Sequence, residues 1–113
     1  MAEPCIFCRI VRGEIPAQLL VNTTDCVAFR DLSPQAPVHI LIIPKKHVAS
    51  LDDVTDLEIA GKMTMLAVAL ARQEGIAASG YRTVINTGAD GGQSVFHLHL
   101  HLLGGRAMTW PPG

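Results

Sequence analysis

The alternation of hydrophobic and polar positions predicts strands in the first part of the chain. Apolar, partly β-branched stretches at residues 19–22 and 26–30 flank a short polar turn, a pattern typical of a β-hairpin. Residues 38–43 form a third apolar run, which ends at Pro44 because proline has no backbone N–H to donate to a sheet. The residues up to Gly13 are typical of a short helical turn or a loop.

The middle of the chain has the pattern of one long helix. Thr55 and Glu58 have the spacing of a capping box that starts a helix, and Gly75 is suited to ending it. Apolar residues recur between these ends at helical spacing and form a wide stripe, made of Leu57, Ile59, Ala60, Met63, Leu66, Ala67, Ala69 and Leu70. A helix that is apolar on so much of its surface is buried on more than one side. In a chain this short, we expect a second copy of the protein to cover part of it.

Two further strands are predicted in the last third of the chain. Residues 81–86 form the first, residues 96–103 form the second, and a glycine-rich stretch at residues 87–94 joins them. Strands, one helix and then strands again indicate the α+β class with a largely antiparallel sheet. No repeat or linker divides the sequence, so a single domain is expected over residues 1–113.

Composition and charge narrow the classes of function. The chain has 113 residues, of which 49% are hydrophobic, so a core can form without disulfide or metal support. Nine basic and ten acidic side chains give a net charge of −1 without a basic stripe, so neither a nucleic acid nor a membrane is an expected partner. Residues 1–4 show no signal-peptide pattern, and three cysteines do not make a disulfide framework. These features predict a cytoplasmic protein.

The most informative segment is a run of alternating histidine and hydrophobic residues near the end of the chain. In a strand, His97, His99 and His101 share one face, with neighbouring imidazoles on the order of 7 Å apart. The residues that alternate with them are expected to pack in the core on the other face; these are Phe96, Leu98, Leu100 and Leu102. A single histidine is usually a hydrogen-bonded structural residue, but three in strict alternation indicate a functional site.

Two kinds of chemistry fit such a row of histidines. His-x-His on a strand can present two imidazoles to a zinc ion, and three histidines with a bound water would make a metal hydrolase. Alternatively, one neutral imidazole attacks phosphorus while its neighbours fix its tautomer. The preceding loop favours the second, because its glycines let backbone amides face an anion and its polar residues add donors. The loop residues concerned are Gly88, Gly91, Gly92, Gln93 and Ser94.

The segment from His97 to Leu103 has the pattern His-φ-His-φ-His-φ-φ, in which φ is a hydrophobic residue. This pattern resembles the motif that defines the histidine-triad family. The similarity extends over nearly the whole chain, and the sequence most resembles the Hint branch of that family. The segments that carry it are IF at residues 6–7, GEIPA at 13–17, FRD at 29–31, SPQAP at 33–37, His39, IPKKH at 43–47, GGQSV at 91–95, GGR at 104–106 and WPPG at 110–113.

The resemblance to the Hint branch implies both a fold and an activity. It implies a mainly antiparallel five-stranded sheet with one long and one short helix, continued across a homodimer. It also implies a purine nucleoside phosphoramidase that hydrolyses adenosine 5′-phosphoramidates to AMP through an adenylyl-histidine intermediate. On this basis His99 is the nucleophile and His101 lies beside the phosphate. His39 supports the triad by hydrogen bonding, while Ser94 contacts the phosphate and the leaving nitrogen.

The same resemblance implies a nucleotide pocket. Asp31 is expected to hold the ribose hydroxyls with Asn86 nearby, and Gly92 is expected near the phosphate, where Gln93 offers a side-chain donor. The base is expected in an apolar sleeve made of Ile6, Phe7, Ile10, Phe29 and Leu32. Two other functions remain open: a nucleotide-binding adaptor or sensor with little turnover, and a dinucleoside polyphosphate hydrolase like those of the Fhit branch.

Cys5 and Cys8 form a Cys-x-x-Cys pair, which is a common half of a zinc site. His47 and His97 are the candidates for the other two ligands. The alternative for the cysteines is a pair of small apolar residues at a helix end. Relatives differ in whether they carry this ligand set, and the resemblance favours a structural zinc. Such a zinc is not needed for catalysis, because the other two histidines of the motif remain available.

Overall fold

The computed structural model describes residues 5–113, which form a five-stranded sheet and two α-helices. In chain order, the elements are α1 (Ile6–Val11), β1 (Leu19–Asn22), β2 (Cys26–Arg30), β3 (Val38–Pro44), the 3₁₀ turn Leu51–Asp53, α2 (Ile59–Gln73), β4 (Tyr81–Val84) and β5 (Leu100–Gly104). The strands lie in the order β1-β2-β3-β5-β4, and every neighbouring pair is antiparallel. The predicted α+β class, with one long and one short helix, is confirmed. Residues 1–4, on which the predicted absence of a signal peptide rests, lie outside the described residues.

The sheet has a hydrophobic core on each of its two faces. Alternate residues of β2 and β3 point to opposite faces, so Ala28 and Ile42 pack on the α2 side while Val27 and Ile43 pack on the α1 side. The core under α2 is the larger of the two. The period-2 pattern of these strands therefore positions a small second core beneath α1, next to the histidines.

Helix α2 starts later than the capping box predicts. The residue before its first turn is Glu58, whose side chain makes no capping hydrogen bond. Instead, the Asp56 carboxylate accepts a hydrogen bond from the Glu58 N–H (2.9 Å), which turns the chain before the helix begins. Thr55 is therefore not the N-cap, and the predicted capping box is wrong. Leu57, predicted in the apolar stripe, lies in that turn and is 93% exposed.

The rest of α2 agrees with the predicted stripe on one side only. Met63 and Leu70 are buried in the core, whereas Ala69, also predicted in the stripe, is exposed. The predicted end is confirmed, because Gly75 follows the last turn with φ of 78°, a conformation that glycine adopts at little cost. The cover expected for the exposed side from a second copy stays a prediction. Neither α1 nor α2 has the length and hydrophobicity that a membrane-spanning helix needs.

The last two strands are shorter than predicted. β4 ends at Val84, and β5 begins at Leu100. Phe96 is 57% exposed, so its predicted place in the core is wrong, whereas Leu98 is buried as expected. The Leu98 N–H donates to the Val48 carbonyl (2.7 Å), outside the β3–β5 ladder. The chain thus approaches β5 along a loop, and this changes which histidines lie within the strand.

Candidate functional site

Three histidines, His39, His99 and His101, form what we call the histidine group on the α1 face of the sheet. His39 lies on β3, His101 lies on the adjacent β5, and His99 lies just before β5 begins. The ring centroids of His39 and His101 are 5.2 Å apart, and those of His99 and His101 are 5.0 Å apart. His97 is fully buried on the same side of the sheet, where its ring also contacts Phe7 (5.8 Å between centroids) and its Nδ1 faces a separate set of donors.

A backbone amide fixes the proton positions in His39 and His101. The Gln35 N–H donates to His39 Nδ1 (3.0 Å), so that nitrogen is an acceptor and the proton of neutral His39 is on Nε2. His39 Nε2–H in turn donates to His101 Nδ1 (2.9 Å). The proton of neutral His101 is therefore on Nε2. The direction of both hydrogen bonds therefore follows from the Gln35 N–H, a backbone group that can only donate.

The Nε2–H of His101 is left without a partner. Within residues 5–113, this nitrogen is the one buried side-chain nitrogen or oxygen that makes no hydrogen bond. Burial, reinforced by the neighbouring His99 and His39, lowers the pKa of His101 to about 4, so the ring is neutral at physiological pH. A buried donor without an acceptor is unfavourable, and an anionic ligand oxygen would satisfy it.

His99 is held in the opposite tautomer. Its Nδ1 lies 2.7 Å from the backbone carbonyl of His97, which can only accept, so Nδ1 carries the proton. The Nε2 atom then has a lone pair, and it makes no hydrogen bond to any described residue. The ring is 6% exposed and packs edge-on against Phe7, with centroids 5.2 Å apart. The site therefore presents a basic lone pair on His99 beside an N–H donor on His101.

Asp31 lies at the edge of the histidine group. One carboxylate oxygen accepts from the Ser33 N–H (2.7 Å), and the other is 3.5 Å from His39 Nε2. Burial lowers the pKa of His39, and the charge of Asp31 opposes that shift. Asp31, His39 and His101 place donor atoms within reach of one ion, but both nitrogens of His39 are engaged in hydrogen bonds. We therefore interpret them as a hydrogen-bond network. Asn86, expected near the ribose, is half-buried just after β4.

The apolar residues predicted around the base separate into two sets. Phe7, Ile10 and Phe29 are buried together on the α1 face, with the rings of Phe7 and Phe29 in edge contact at 5.6 Å. Ile6 is 46% exposed and Leu32 is completely exposed. The structure thus joins three of the five residues in a packed wall next to His99 and leaves the other two open to solvent.

The glycine-rich loop is closed by the side chain of Gln93. This buried side chain accepts from the Gly88 N–H (2.9 Å) through Oε1 and donates through Nε2 to the carbonyls of Ala49 (2.7 Å) and Val95 (3.1 Å). Both N–H groups of the amide are therefore engaged inside the protein. The prediction that the Gln93 side chain is a donor for phosphate is wrong; it braces the loop instead.

The other residues of the glycine-rich loop differ in whether their hydrogen-bond donors remain open to a ligand. The Gly92 N–H donates to the Ala89 carbonyl (3.0 Å), so this amide is also engaged within the turn. A Cβ at Gly91 would overlap the Thr87 carbonyl oxygen, so only glycine fits there. Ser94 is exposed, and neither its N–H nor its hydroxyl has a partner among the described residues. Ser94 is therefore the predicted loop donor that remains open to a ligand.

Four residues, Cys5, Cys8, His47 and His97, form a second cluster, the thiol–histidine cluster, with donor atoms all within 4.8 Å of one another. His97 Nδ1 is 3.2 Å from His47 Nδ1, 3.3 Å from Cys5 Sγ and 3.5 Å from Cys8 Sγ. In a tetrahedral site with Zn–S bonds of ~2.3 Å and Zn–N bonds of ~2.0–2.1 Å, N···N separations are ~3.3 Å and S···N separations ~3.6 Å. The cluster can therefore hold a metal ion.

Neighbouring backbone groups orient the ligands of this cluster. His97 Nε2 lies 2.8 Å from the Pro44 carbonyl and donates to it, so the Nδ1 lone pair of His97 faces the two thiols and His47. Cys5 precedes α1, and its Sγ accepts from the Cys8 N–H (3.4 Å). His97 is fully buried and His47 is exposed, so the cluster is closed on one side and open on the other.

Three backbone groups that organise both clusters escape prediction from the sequence. They are the N–H of Gln35 and the carbonyls of Pro44 and His97. Gln35 and Pro44 lie in the SPQAP and IPKKH segments, whose resemblance to a known family is the one available signal. A backbone donor or acceptor leaves no side-chain pattern, so only the folded chain shows these contacts.

An antiparallel sheet with alternating histidines before and within one strand, joined by a further histidine from the next strand, is the architecture of a histidine-triad protein. The HIT domain family matches residues 12–108, and the chain belongs to this family. An uncharacterised HIT-like protein of Synechococcus elongatus is 53% identical over 115 aligned positions that cover the whole of both chains.

Two solved structures extend the comparison to three dimensions. A HIT family hydrolase from Legionella pneumophila has a TM-score of 0.94 at 53% identity, covering 96% of this chain and 99% of that one. A histidine triad nucleotide-binding protein from Candida albicans has a TM-score of 0.82 at 32% identity, covering 95% and 82% of the two chains. The fold of this chain is therefore that of HIT proteins over almost its whole length.

Proposed function

We propose that the protein is a purine nucleoside phosphoramidase of the Hint branch, which hydrolyses adenosine 5′-phosphoramidates to AMP. The pairing of His99 with His101 carries this proposal. The Nε2 lone pair of His99 is open for attack, and the Nε2–H of His101 is a buried donor that lacks an acceptor in the described chain. A phosphoryl group uses both at once, because its phosphorus is electrophilic and its oxygens are anionic.

The names of two structural neighbours support the broader class. The protein from Legionella pneumophila is named a hydrolase, and the protein from Candida albicans is named nucleotide-binding. We infer that this chain likewise binds a nucleotide and hydrolyses it. The choice of a P–N bond as the target rests on the sequence resemblance to the Hint branch.

In the first step, His99 Nε2 attacks the α-phosphorus and forms a P–N bond to the ring. The bond between phosphorus and the leaving nitrogen breaks, its electron pair stays on that nitrogen, and a proton joins it so that a neutral amine departs. This proton comes from solvent, and we assign its relay to the exposed hydroxyl of Ser94, which takes up one proton as it gives up its own. The His99 ring becomes cationic, and its Nδ1–H bond to the His97 carbonyl stabilises that charge.

In the second step, water attacks the phosphorus of the adenylyl-histidine. The P–N bond to the ring breaks, its electron pair returns to His99 Nε2, one proton of the water passes to solvent, and AMP leaves. Through both steps, the Nε2–H of His101 donates to a phosphoryl oxygen. His39 keeps that proton in place, because its own Nε2–H occupies His101 Nδ1.

The nucleoside is proposed to lie between Asp31 and the apolar wall. Asp31 has one carboxylate oxygen that accepts a short backbone bond and a second that can accept from ribose hydroxyls, with Asn86 nearby. The phosphate lies near Gly92 and Ser94. A flat base suits an apolar setting made of Ile6, Phe7, Ile10, Phe29 and Leu32.

The metal proposed for the thiol–histidine cluster is zinc. Two thiolates and two imidazoles at tetrahedral separations are a donor set that zinc prefers. Such a site binds α1 to the sheet and supplies no group to the reaction, since neither His99 nor His101 belongs to it. Reduced cysteines at this cluster agree with the proposed cytoplasmic location.

A homodimer is proposed from two exposed features. Met65 is exposed on α2 beside the partly buried Leu66, and β4 is an edge strand with backbone groups available for pairing. A two-fold axis that pairs these surfaces with their own copies would continue the sheet and cover the helix. Sedimentation of the purified protein tests this directly.

The experiment that tests the activity is AMP release from an adenosine 5′-phosphoramidate by zinc-loaded protein, with His99→Asn as the matched variant. The wild type is expected to turn over and to carry an adenylyl group on His99 when the reaction is quenched and measured by mass spectrometry. Turnover without a covalent adduct would favour a metal hydrolase. AMP binding without turnover would make the protein a sensor, and a preference for dinucleoside polyphosphates would place it with the Fhit-like hydrolases.

A further inference from the structure

His97 is a member of the thiol–histidine cluster and also contacts the histidine group. Its ring Nδ1 is 3.3 Å from Cys5 Sγ and 3.2 Å from His47 Nδ1. Its backbone carbonyl accepts the Nδ1–H of His99 at 2.7 Å. One residue therefore faces the metal-binding donors with its side chain and fixes the tautomer of the proposed nucleophile with its main chain.

The main chain at His97 lies outside the sheet. β5 begins at Leu100, and the hydrogen bond of the preceding stretch runs from the Leu98 N–H to the Val48 carbonyl instead of to β3. The β3–β5 ladder therefore does not set the direction of the His97 carbonyl. The His97 carbonyl shares a planar peptide unit with the Leu98 N–H, so the bond to Val48, the residue after His47, helps to set its direction. The rest depends on how the buried ring of His97 is anchored, by the Pro44 carbonyl on one nitrogen and by the thiol–histidine cluster on the other.

Phe7 makes a second link between the clusters. It lies in α1 between the two cysteines, and its ring makes edge contacts with His97 at 5.8 Å and with His99 at 5.2 Å between centroids. A helix of six residues is not stable alone, so α1 keeps its place through its packing and its cysteines. Fastening Cys5 and Cys8 to the sheet thus holds Phe7 against the His99 ring.

We propose that the thiol–histidine cluster sets the orientation of His99. When its four residues hold a metal ion, His97 and Phe7 keep the Nδ1–H of His99 bonded and its Nε2 turned toward the substrate. This makes His97 and Phe7 positioning residues, and the inference rests on the proposed function. Without the ion, the core under α2 keeps the sheet folded, but the His99 ring rotates and exchanges tautomers. A displacement of about 1 Å at a reacting group lowers a rate by about a hundredfold.

The first test measures the tautomer of His99 by nuclear magnetic resonance. Protein with ¹⁵N-labelled histidine is recorded with zinc, after removal of zinc by a chelator, and after zinc is added back. The His99→Asn spectrum identifies the His99 signals. We expect a single Nδ1–H tautomer with zinc, a mixture without it, and recovery on zinc addition, while the backbone amide signals of β3 persist throughout. Three results would overturn the proposed coupling between the thiol–histidine cluster and the orientation of His99. They are an unchanged His99 tautomer without zinc, loss of the β3 signals together with a change of tautomer, and a failure of the protein to bind zinc.

The second test uses a matched pair of cysteine variants. Cys8→Ser removes one cluster ligand, whereas Cys26→Ala changes a buried cysteine outside the cluster. In the presence of zinc, we expect Cys8→Ser to show the mixed His99 tautomer and to lower kcat by about tenfold to a hundredfold. We expect KM to change less, and Cys26→Ala to match the wild type in both. Equal kcat in the two variants would contradict the coupling.

These measurements separate the failure of the two proposals. If the zinc-loaded wild type does not hydrolyse a phosphoramidate, the proposed function fails. The zinc dependence of the His99 tautomer is still decided separately, by the nuclear magnetic resonance spectrum. If the wild type turns over but its His99 spectrum and kcat are unaffected by zinc, the coupling fails and the proposed function stands.

Discussion

The histidine group and the thiol–histidine cluster are both built from imidazole rings but arrange those rings differently. In the histidine group, the rings of His39 and His101 are joined in series, and the chain ends with one donor, the Nε2–H of His101. In the thiol–histidine cluster, the ring nitrogens of His47 and His97 converge with two sulfur atoms on one point. The first arrangement suits a polyatomic anion, and the second suits a single cation.

The difference comes from the backbone partner of each ring. An N–H at Gln35 makes His39 Nδ1 an acceptor, whereas a carbonyl at Pro44 makes His97 Nε2 a donor. Each partner fixes which nitrogen of the ring keeps a lone pair, and the lone pair decides the chemistry. Residue type and spacing alone therefore do not separate a metal ligand from a nucleophile in this protein.

The largest expected effect follows from removing the nucleophile in His99→Asn. We expect kcat for an adenosine phosphoramidate to fall by about a thousandfold or more, because no other described ring offers a lone pair beside the His101 donor. The dissociation constant for AMP, measured by calorimetry, should change by no more than a few fold. A variant with wild-type turnover would remove His99 from the mechanism.

Loss of zinc should be the largest effect on stability. A ligand that binds only the folded state at a free concentration about a thousand times its Kd adds about 4 kcal/mol to the free energy of unfolding. We expect urea unfolding of the wild type to show a difference of that order between zinc-loaded and zinc-free samples. Cys8→Ser should lose most of this zinc dependence and Cys26→Ala should keep it; equal dependence in both variants would speak against the cluster as the binding site.

Breaking the series of hydrogen bonds in the histidine group should have a smaller effect on stability. In His39→Ala, the Nδ1 of buried His101 loses its donor, and an unsatisfied buried group costs about 1–3 kcal/mol. We expect His39→Gln, which keeps an N–H donor, to be less destabilised. A double-mutant cycle with His101 tests the link, and additive changes in the free energy of unfolding would show that the two rings are not coupled.

The last expected effect is a change of stability with pH. His101 has its pKa lowered by burial from 6.5 to about 4, so between these values the unfolded chain binds a proton that the folded chain does not. The free energy of unfolding therefore falls as the pH is lowered from 6.5 to about 4, and His39, with a pKa also lowered by burial, adds to the fall. His101→Gln should show a shallower slope in urea unfolding at several pH values; an equal slope would place the titration elsewhere.

Much of the fold can be predicted from the sequence because strand periodicity is a local property. β1, β2 and the start of β3 follow directly from their alternation. The start of α2 cannot be predicted as well, since Asp56 competes with Thr55 for the first turn, and the side chains alone do not decide between them. The exposure of Phe96 is also missed, because alternation cannot show where a ladder begins.

The candidate site is predictable in its residues and less so in its organisation. The five histidines and two of the cysteines are visible in the sequence, and their division into two clusters agrees with the resemblance. Gln93 is the instructive failure, because a polar residue in a glycine-rich loop serves equally well as a ligand contact or as an internal brace. Gln93 acts as a brace because its side chain meets the carbonyls of Ala49 and Val95, and Ala49 is distant from it in the sequence.

The thiol–histidine cluster also bears on how the molecule is made. Cys5 and His97 are 92 positions apart, yet their side chains meet. During synthesis α1 leaves the ribosome well before its partner on the approach to β5 is added. The residues proposed to act on the substrate therefore come together only after that later segment has been made. A chain interrupted before His97 lacks both the proposed nucleophile and the attachment for α1, so we expect such a product to be inactive.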